Sequence, residues 1–212
     1  MSFSIEGKTA IVTGAANGVG LAIARHFADK GANVMFADMD EERLIKECGK
    51  PDETDTMRYF AGDLRERLTM ANLLSATLDA FDRVDILVNG SRQMLTSDAL
   101  DLDDDSVEVM LSQNMMTALR LSQMVAKRMK KQASGRDGGQ VGAIVNLSSI
   151  AARRTHPSLL GYSISCAAMD QMTRGLAVAL APERIRVNAV AFGSVMSASL
   201  KDTLRENREY RS

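Results

Sequence analysis

Short apolar runs and longer amphipathic stretches alternate along this chain. Lys8–Val12, Asn33–Ala37, Met57–Ala61, Val84–Asn89, Ala143–Leu147 and Ile185–Ala191 are apolar on consecutive positions rather than every second one. That pattern predicts strands buried on both faces, as in a parallel sheet. The stretches between them carry helical spacing. Val19, Ala22, Ile23 and Phe27 form one stripe, which Gly31 ends. Glu41–Cys48 reads as a second helix, and Arg65–Phe81, with Leu68, Leu74 and Leu78, as a third. A long helix is predicted over Ser106–Lys131, with Val107, Leu111, Ala118, Leu121 and Val125 on one face. It begins at the acidic run Asp101–Asp105 and ends in Lys127, Arg128, Lys130 and Lys131, which complements the helix dipole. Another long helix, Tyr162–Leu180, stops before Pro182. Pro51–Thr56 and Ser134–Gly142 read as loops. Strands alternating with helices predict an α/β fold, a doubly wound parallel sheet of about six strands with right-handed crossovers.

The first strand–helix junction carries the candidate chemistry. Thr13–Gly20 reads Thr-Gly-Ala-Ala-Asn-Gly-Val-Gly. A helix entered through a glycine turn offers unpaired backbone N–H groups and partial positive charge, which a pyrophosphate satisfies. Gly14 suits the tight turn, Gly18 the approach of ligand to backbone, and Gly20 close packing of helix on strand. By themselves these glycines also fit an ordinary strand–helix turn. In a doubly wound sheet, ligands bind beyond the carboxyl ends of the strands. Asp38, Asp63, Asn89, Ser148 and Ser149 fall there. At the end of the second strand a carboxylate accepts hydrogen bonds from ribose hydroxyls and repels a 2′-phosphate. Neither Asn17 nor Met39 offers a cation to offset that, so Asp38 predicts NAD over NADP. In isolation Asp38 is equally a solvated loop acid.

Composition narrows the function classes. The chain has 212 residues, 45% hydrophobic, enough for one sizeable α/β domain. Its 26 Lys plus Arg against 27 Asp plus Glu give a net charge of −1, so no basic field favours nucleic acid or an anionic membrane. Aromatics at 4% argue against base-stacking platforms. No signal pattern and no bilayer-length apolar run occur, which gives a cytoplasmic expectation without a membrane partner. Cys48 and Cys166 form no metal-spaced pair and read as reduced thiols, and no metal site is expected. The 14 methionines mostly occupy apolar helix positions and read as core filler.

Taken together, the motifs resemble the short-chain dehydrogenase/reductase family over about Gly7–Ser197. Thr13-Gly14-x-x-x-Gly18-x-Gly20 is similar to its cofactor loop. Asp63 matches its adenine-contacting acid, and Asn114 its asparagine in the long helix. Ile144-Val145-Asn146-Leu147-Ser148-Ser149 resembles the strand that delivers its serine, with Tyr162 the expected distance beyond, and Ile185-Arg186-Val187-Asn188 its sixth-strand motif. The resemblance implies a Rossmann-like, NAD-binding domain over residues 1–197 and hydride transfer between nicotinamide and an alcohol or carbonyl carbon. It implies Tyr162 as general acid/base, Ser149 as donor to the substrate oxygen and Asn114 as their companion. It implies a cofactor site at Gly14, Asn17, Gly18, Val19, Gly20, Asp38, Asp63, Leu64, Asn89 and Gly193.

The sequence departs from that family at three places near the chemistry. Cys166 stands four residues after Tyr162, where the family's lysine lowers the tyrosine pKa and holds the nicotinamide ribose. A thiol has no positive charge, and an unperturbed tyrosine titrates near ~10, so only about one in a thousand is ionised at pH 7. Asn89-Gly90-Ser91-Arg92 replaces the family's Asn-Asn-Ala-Gly. Arg92 is expected to point to solvent, with blockage of the pocket or replacement of the missing cation as the other readings. Phe192-Gly193 replaces Pro-Gly beside the nicotinamide. Residues 198–212 read as a charged tail with no seventh strand, leaving the sixth strand as an expected edge. Arg153, Arg154 and His156 read as a solvated basic loop. Two functions therefore stand: an impaired NAD(H)-dependent oxidoreductase acting on a small alcohol or carbonyl compound, or a non-catalytic NAD-binding sensor or partner subunit. A homodimer through the two long helices is the assembly that remains open to it.

Overall fold

The computed structural model describes residues 4–49, 56–135 and 137–195. The expected tail 198–212 and the question of a seventh strand lie outside the described residues, as does most of the Pro51–Thr56 loop. Six strands form one parallel sheet: β1 (Thr9–Thr13), β2 (Asn33–Asp38), β3 (Met57–Ala61), β4 (Ile86–Asn89), β5 (Gly142–Ser149) and β6 (Ile185–Phe192), in the order β3-β2-β1-β4-β5-β6. The order reverses between β1 and β4, so a crevice opens beyond their carboxyl ends.

Consecutive strand residues serve opposite faces, which is why the strands read as unbroken apolar runs. Ile11, Met35, Leu87 and Ile144 belong to one core with α3 (Arg67–Phe81), α5 (Thr117–Gln132) and the later part of α6 (Leu160–Leu180). Val12, Phe36, Val88 and Leu147 belong to the other, with α1 (Gly18–Asp29) and α2 (Glu41–Cys48). Buried Asp85 ties the sheet's opposite end together, accepting from Thr9 N at 3.0 Å and pairing with Arg83.

Two helices differ from their expected form. Leu68 in α3 is 73% exposed, and the buried face runs instead through Met70, Leu73, Thr77 and Phe81. The helix expected to be continuous over Ser106–Lys131 is α4 (Ser106–Met110), a π-helical segment (Leu111–Met116) and then α5. The buried stripe accordingly passes through Met110 and Asn114 rather than Val107 and Leu111 before resuming at Ala118, Leu121 and Val125. A π segment of this kind is frequently found at functional sites, and Asn114 is its one buried residue.

Candidate active site

The glycine loop is shaped by contact with the β4 turn. Gly14 has φ +71°, and a Cβ there would lie 2.7 Å from the backbone of Gly90. A Cβ on Gly20 would fall 2.1 Å from the Gly14 carbonyl oxygen, so α1 rests directly on the turn that precedes it. Thr13 Oγ1 accepts from both Gly90 N (3.0 Å) and Ser91 N (3.1 Å), which fastens the β4 turn to the end of β1. Asn17 caps α1 without a side-chain hydrogen bond, and no acid stands in the first turn around Gly18, Val19 and Gly20. The N-terminus of α1 therefore keeps the donors and the partial charge that an anionic group takes.

Asp38 sits over this loop. Its Oδ2 accepts from Ala16 N at 3.0 Å, and its Oδ1 from Met39 N at 2.7 Å and Asp40 N at 3.2 Å. The carboxylate is thus fixed at the tip of β2, half-buried and beside the glycine loop. Asp63 follows β3 and is held by Arg65, whose hydrogen bonds keep its carboxyl below the usual range against the cost of burial. Leu64 is buried in the core beside it. Asn89 lies at the carboxyl end of β4, but its side chain turns into the molecule. Its Nδ2 donates to Asn146 Oδ1 (2.8 Å) and Ser122 Oγ (3.0 Å), and Asn146 continues to Thr173. Its contribution to the crevice is therefore backbone. Gly193, exposed just after β6, has Ile150 as its near neighbour.

The expected catalytic residues converge. Ser149 ends β5, and its hydroxyl accepts from Ala151 N at 3.2 Å. It also acts on the Tyr162 phenol, which comes from the first turn of α6, by lowering its pKa. Tyr162 is 5% exposed, and Cys166 (7%), one turn along, shares a small apolar cluster with it, Met110 and Ala151. Burial pushes the phenol above its ordinary value. A nearby guanidinium and the Ser149 hydrogen bond pull it down, while the Cys166 thiol raises it further. Burial also raises the Cys166 thiol, so that group is neutral at physiological pH.

Asn114 reaches this group from the π segment. Its Oδ1 accepts from Gln93 N at 2.8 Å, and its Nδ2 donates to Gln93 O at 2.9 Å and Ser165 Oγ at 3.2 Å. Ser165 in turn donates to Tyr162 O. One amide thus clamps the backbone of the β4–α4 loop and links it to the turn of α6 that carries the tyrosine. Gln93 and Ser165 drew no notice in the sequence, since neither belongs to a local pattern.

Arg92 is exposed, as expected, but its guanidinium turns toward the site rather than away from it. Its Nη1 donates to Tyr162 Oη at 3.0 Å, and its guanidinium lies 4.6 Å from the centroid of the Phe192 ring. It is the guanidinium that lowers the phenol. The physical reason is local anchoring. Gly90 and Ser91 are held by Thr13 and Gln93 by Asn114, so residue 92 is aimed across the crevice, and an aromatic face attracts the cation. The usable sequence signal was an arginine and an aromatic residue both standing in turns that face the same crevice. Arg153, Arg154 and His156 are exposed, as expected, with His156 Nδ1 paired to Ser158 Oγ.

The residues fit a dinucleotide over its adenosine and pyrophosphate portion: a glycine cradle in which a Cβ at Gly14 or Gly20 would clash, a helix start without a side-chain cap and a fixed carboxylate. Among the described residues, no cluster of His, Cys, Asp or Glu is placed to hold a metal ion, and no helix is long and apolar enough to cross a membrane. Sheet order and crevice define the Rossmann-like class of α/β nucleotide-binding folds. The short chain dehydrogenase family profile matches residues 8–209, and this chain belongs to that family. It is 32% identical over 211 residues to a 3-oxoacyl-[acyl-carrier-protein] reductase of Thermotoga maritima, covering 95% of this chain and 81% of the relative. It is 31% identical over 214 residues to glucose and ribitol dehydrogenase homolog 2 of Arabidopsis thaliana, covering 97% and 71%. A short-chain dehydrogenase/reductase of unknown function from Caenorhabditis elegans, solved with cofactor, superposes with a TM-score of 0.80 at 29% identity, over 92% of this chain and 72% of the other. These relatives support an oxidoreductase role.

Proposed function

We propose that the protein is an NAD(H)-dependent oxidoreductase that interconverts an alcohol and a carbonyl compound, working best as a reductase. The observation that supports this is the placing of Ser149 at the end of β5 and of Tyr162 in the first turn of α6, with the phenol held by Arg92 from the turn that packs on the glycine loop. Gly14, Gly18, Val19 and Gly20, with Asn17 at the helix start, hold the pyrophosphate. Asp38 accepts from the adenosine ribose and selects NAD over NADP; Asp63 and Leu64 flank the adenine; Asn89 (backbone) and Gly193 border the nicotinamide portion. When bound, the nicotinamide supplies or accepts the hydride. The chain's own residues handle the oxygen. Ser149 donates to the substrate oxygen. Tyr162 Oη gives up its proton to that oxygen in the reductive direction, the phenolic O–H bond breaking as the alcohol O–H bond forms. Asn114 keeps the tyrosine's turn in place. A phenol with a raised pKa is protonated at pH 7, the form that a reduction requires, while the phenolate that alcohol oxidation requires is scarce.

Cys166 favours a second reading, a non-catalytic NAD-binding sensor or partner subunit, because no ammonium stands there to hold the nicotinamide ribose. Titration calorimetry with NAD and NADH, followed by a screen of carbonyl substrates, tests both. The first reading expects binding and turnover that Tyr162→Phe lowers at least about a hundredfold, the usual worth of a general acid. Binding without turnover that depends on Tyr162 supports the second, and no binding at millimolar cofactor defeats both. A cytoplasmic setting agrees with two free buried thiols, and a homodimer through the long helices completes the proposal, with sedimentation as its test.

A further inference from the structure

We propose that Arg92 is the charge partner of Tyr162, acting from the β4 turn in place of the lysine missing from α6. This rests on the oxidoreductase reading for its purpose, though not for its geometry. Arg92 and Cys166, unrelated in sequence, meet at one phenol, and Phe192 supports the first of them. Arg92 Nη1 bonds the phenol oxygen at 3.0 Å, the Phe192 ring lies 4.6 Å beneath the guanidinium, and Cys166 packs against the same tyrosine.

The arginine is placed by construction rather than by a free surface rotamer. Its backbone neighbours on both sides are tied to other elements: Gly90 and Ser91 to Thr13 Oγ1, Gln93 to both ends of the Asn114 amide. Phe192 ends β6, so the guanidinium bridges the turns of β4 and β6 across the crevice. A cation over an aromatic face is held electrostatically. Cys166 completes the arrangement by being neutral. A lysine there would place a second cation on the phenol that Arg92 already bonds.

Chemically, the guanidinium does one of the two things expected of the lysine. When Tyr162 releases its proton to a substrate oxygen, the phenolate is left against a fixed positive charge until water returns a proton. A guanidinium cannot itself be deprotonated in a protein, so it stabilises the phenolate without joining the proton transfer.

The test reads the tyrosine directly and needs no turnover. The chain has three tyrosines and no tryptophan. Ring-labelled tyrosine resonances, assigned by Tyr162→Phe, therefore report its titration, and fluorotyrosine brings the midpoints down to pH values at which the fold survives. Arg92→Gln is expected to raise the Tyr162 midpoint by about one unit or more, and Arg92→Lys to restore much of it. Phe192→Leu is expected to move it the same way by less. A midpoint unmoved by Arg92→Gln in a folded protein overturns the proposal. Calorimetry on the same samples separates the readings. An Arg92-dependent midpoint without NAD binding keeps the charge pairing and defeats the oxidoreductase reading. NAD binding with an unmoved midpoint defeats the pairing alone.

Discussion

Replacing Cys166 by the family's lysine should be harmful here as long as Arg92 is present. Cys166→Lys brings an ammonium to a phenol already bonded by a guanidinium at 3.0 Å. Two unit charges about 5 Å apart repel by roughly 3 kcal/mol at an effective dielectric of about 20, and by under about 1 kcal/mol in bulk water. Arg92 is exposed despite its bond to the phenol, so screening puts the pair at about 1–2 kcal/mol. The arginine could avoid the clash only by leaving Phe192, which forfeits about 0.5–1 kcal/mol of cation–π attraction. The cost of burying the new ammonium is common to both backgrounds and cancels in a four-protein cycle of wild type, Cys166→Lys, Arg92→Gln and the double variant. Urea unfolding is the assay. Arg92→Gln, destabilising alone, should recover about 1–2 kcal/mol when Cys166→Lys is already there. NADH-linked turnover should likewise be higher in the double variant than in Cys166→Lys. Additivity within about 0.3 kcal/mol would refute the reasoning, because residues in contact do not add.

Three further outcomes are expected. Gly14→Ala should destabilise by about 2–4 kcal/mol in urea unfolding, since an L residue pays roughly 1–2 kcal/mol in that left-handed region and its Cβ meets the Gly90 backbone; calorimetric NAD binding should be lost with it. Asp38→Ser should narrow any preference for NAD over NADP by about tenfold or more, read as the ratio of dissociation constants; an unchanged ratio removes Asp38 from cofactor selection. Burial, aided by the Glu47 charge, pushes the Cys48 thiol up to about 12. The folded state therefore keeps that proton longer than the unfolded chain, so stability is intact below pH ~9 and falls as pH rises through ~12. Cys48→Ala should flatten that alkaline slope, and thiol reagents at pH 8 should leave both cysteines unlabelled until denaturant is added.

The sheet was legible because burial on both faces writes itself into consecutive apolar residues, as at Ile11–Val12 and Leu87–Val88. The glycine loop was legible because Gly14 and Gly20 are demanded by backbone contacts that a Cβ would violate. The π segment was not, because the bonds that accompany it run from Asn114 to the backbone of Gln93, twenty-one residues away. Local periodicity carries no trace of such a bond. Asn89 shows the opposite limit. Its position at the strand end was read correctly, but only pairing in register with Asn146 turns its side chain inward.

Arg92 shows how three departures that look like damage one by one can form a unit. Taken singly, Cys166 removes a cation, Arg92 crowds a turn that the family keeps small, and Phe192 removes a proline that shapes another turn. In space the losses answer one another. The arginine restores positive charge to the tyrosine that Cys166 left without it. The phenylalanine gives that arginine a face to rest on. The thiol, which carries no positive charge in either form, spares the arginine the like-charged neighbour that a lysine would be. What the arrangement does not replace is the lysine's hold on a ribose, because the guanidinium is already engaged by the phenol and the ring. A site built this way should keep its proton donor in order while gripping the nicotinamide portion weakly. The measured signature of that asymmetry would be a Tyr162 midpoint sensitive to Arg92, beside an NAD affinity that comes mostly from the adenosine half and is therefore nearly matched by ADP-ribose.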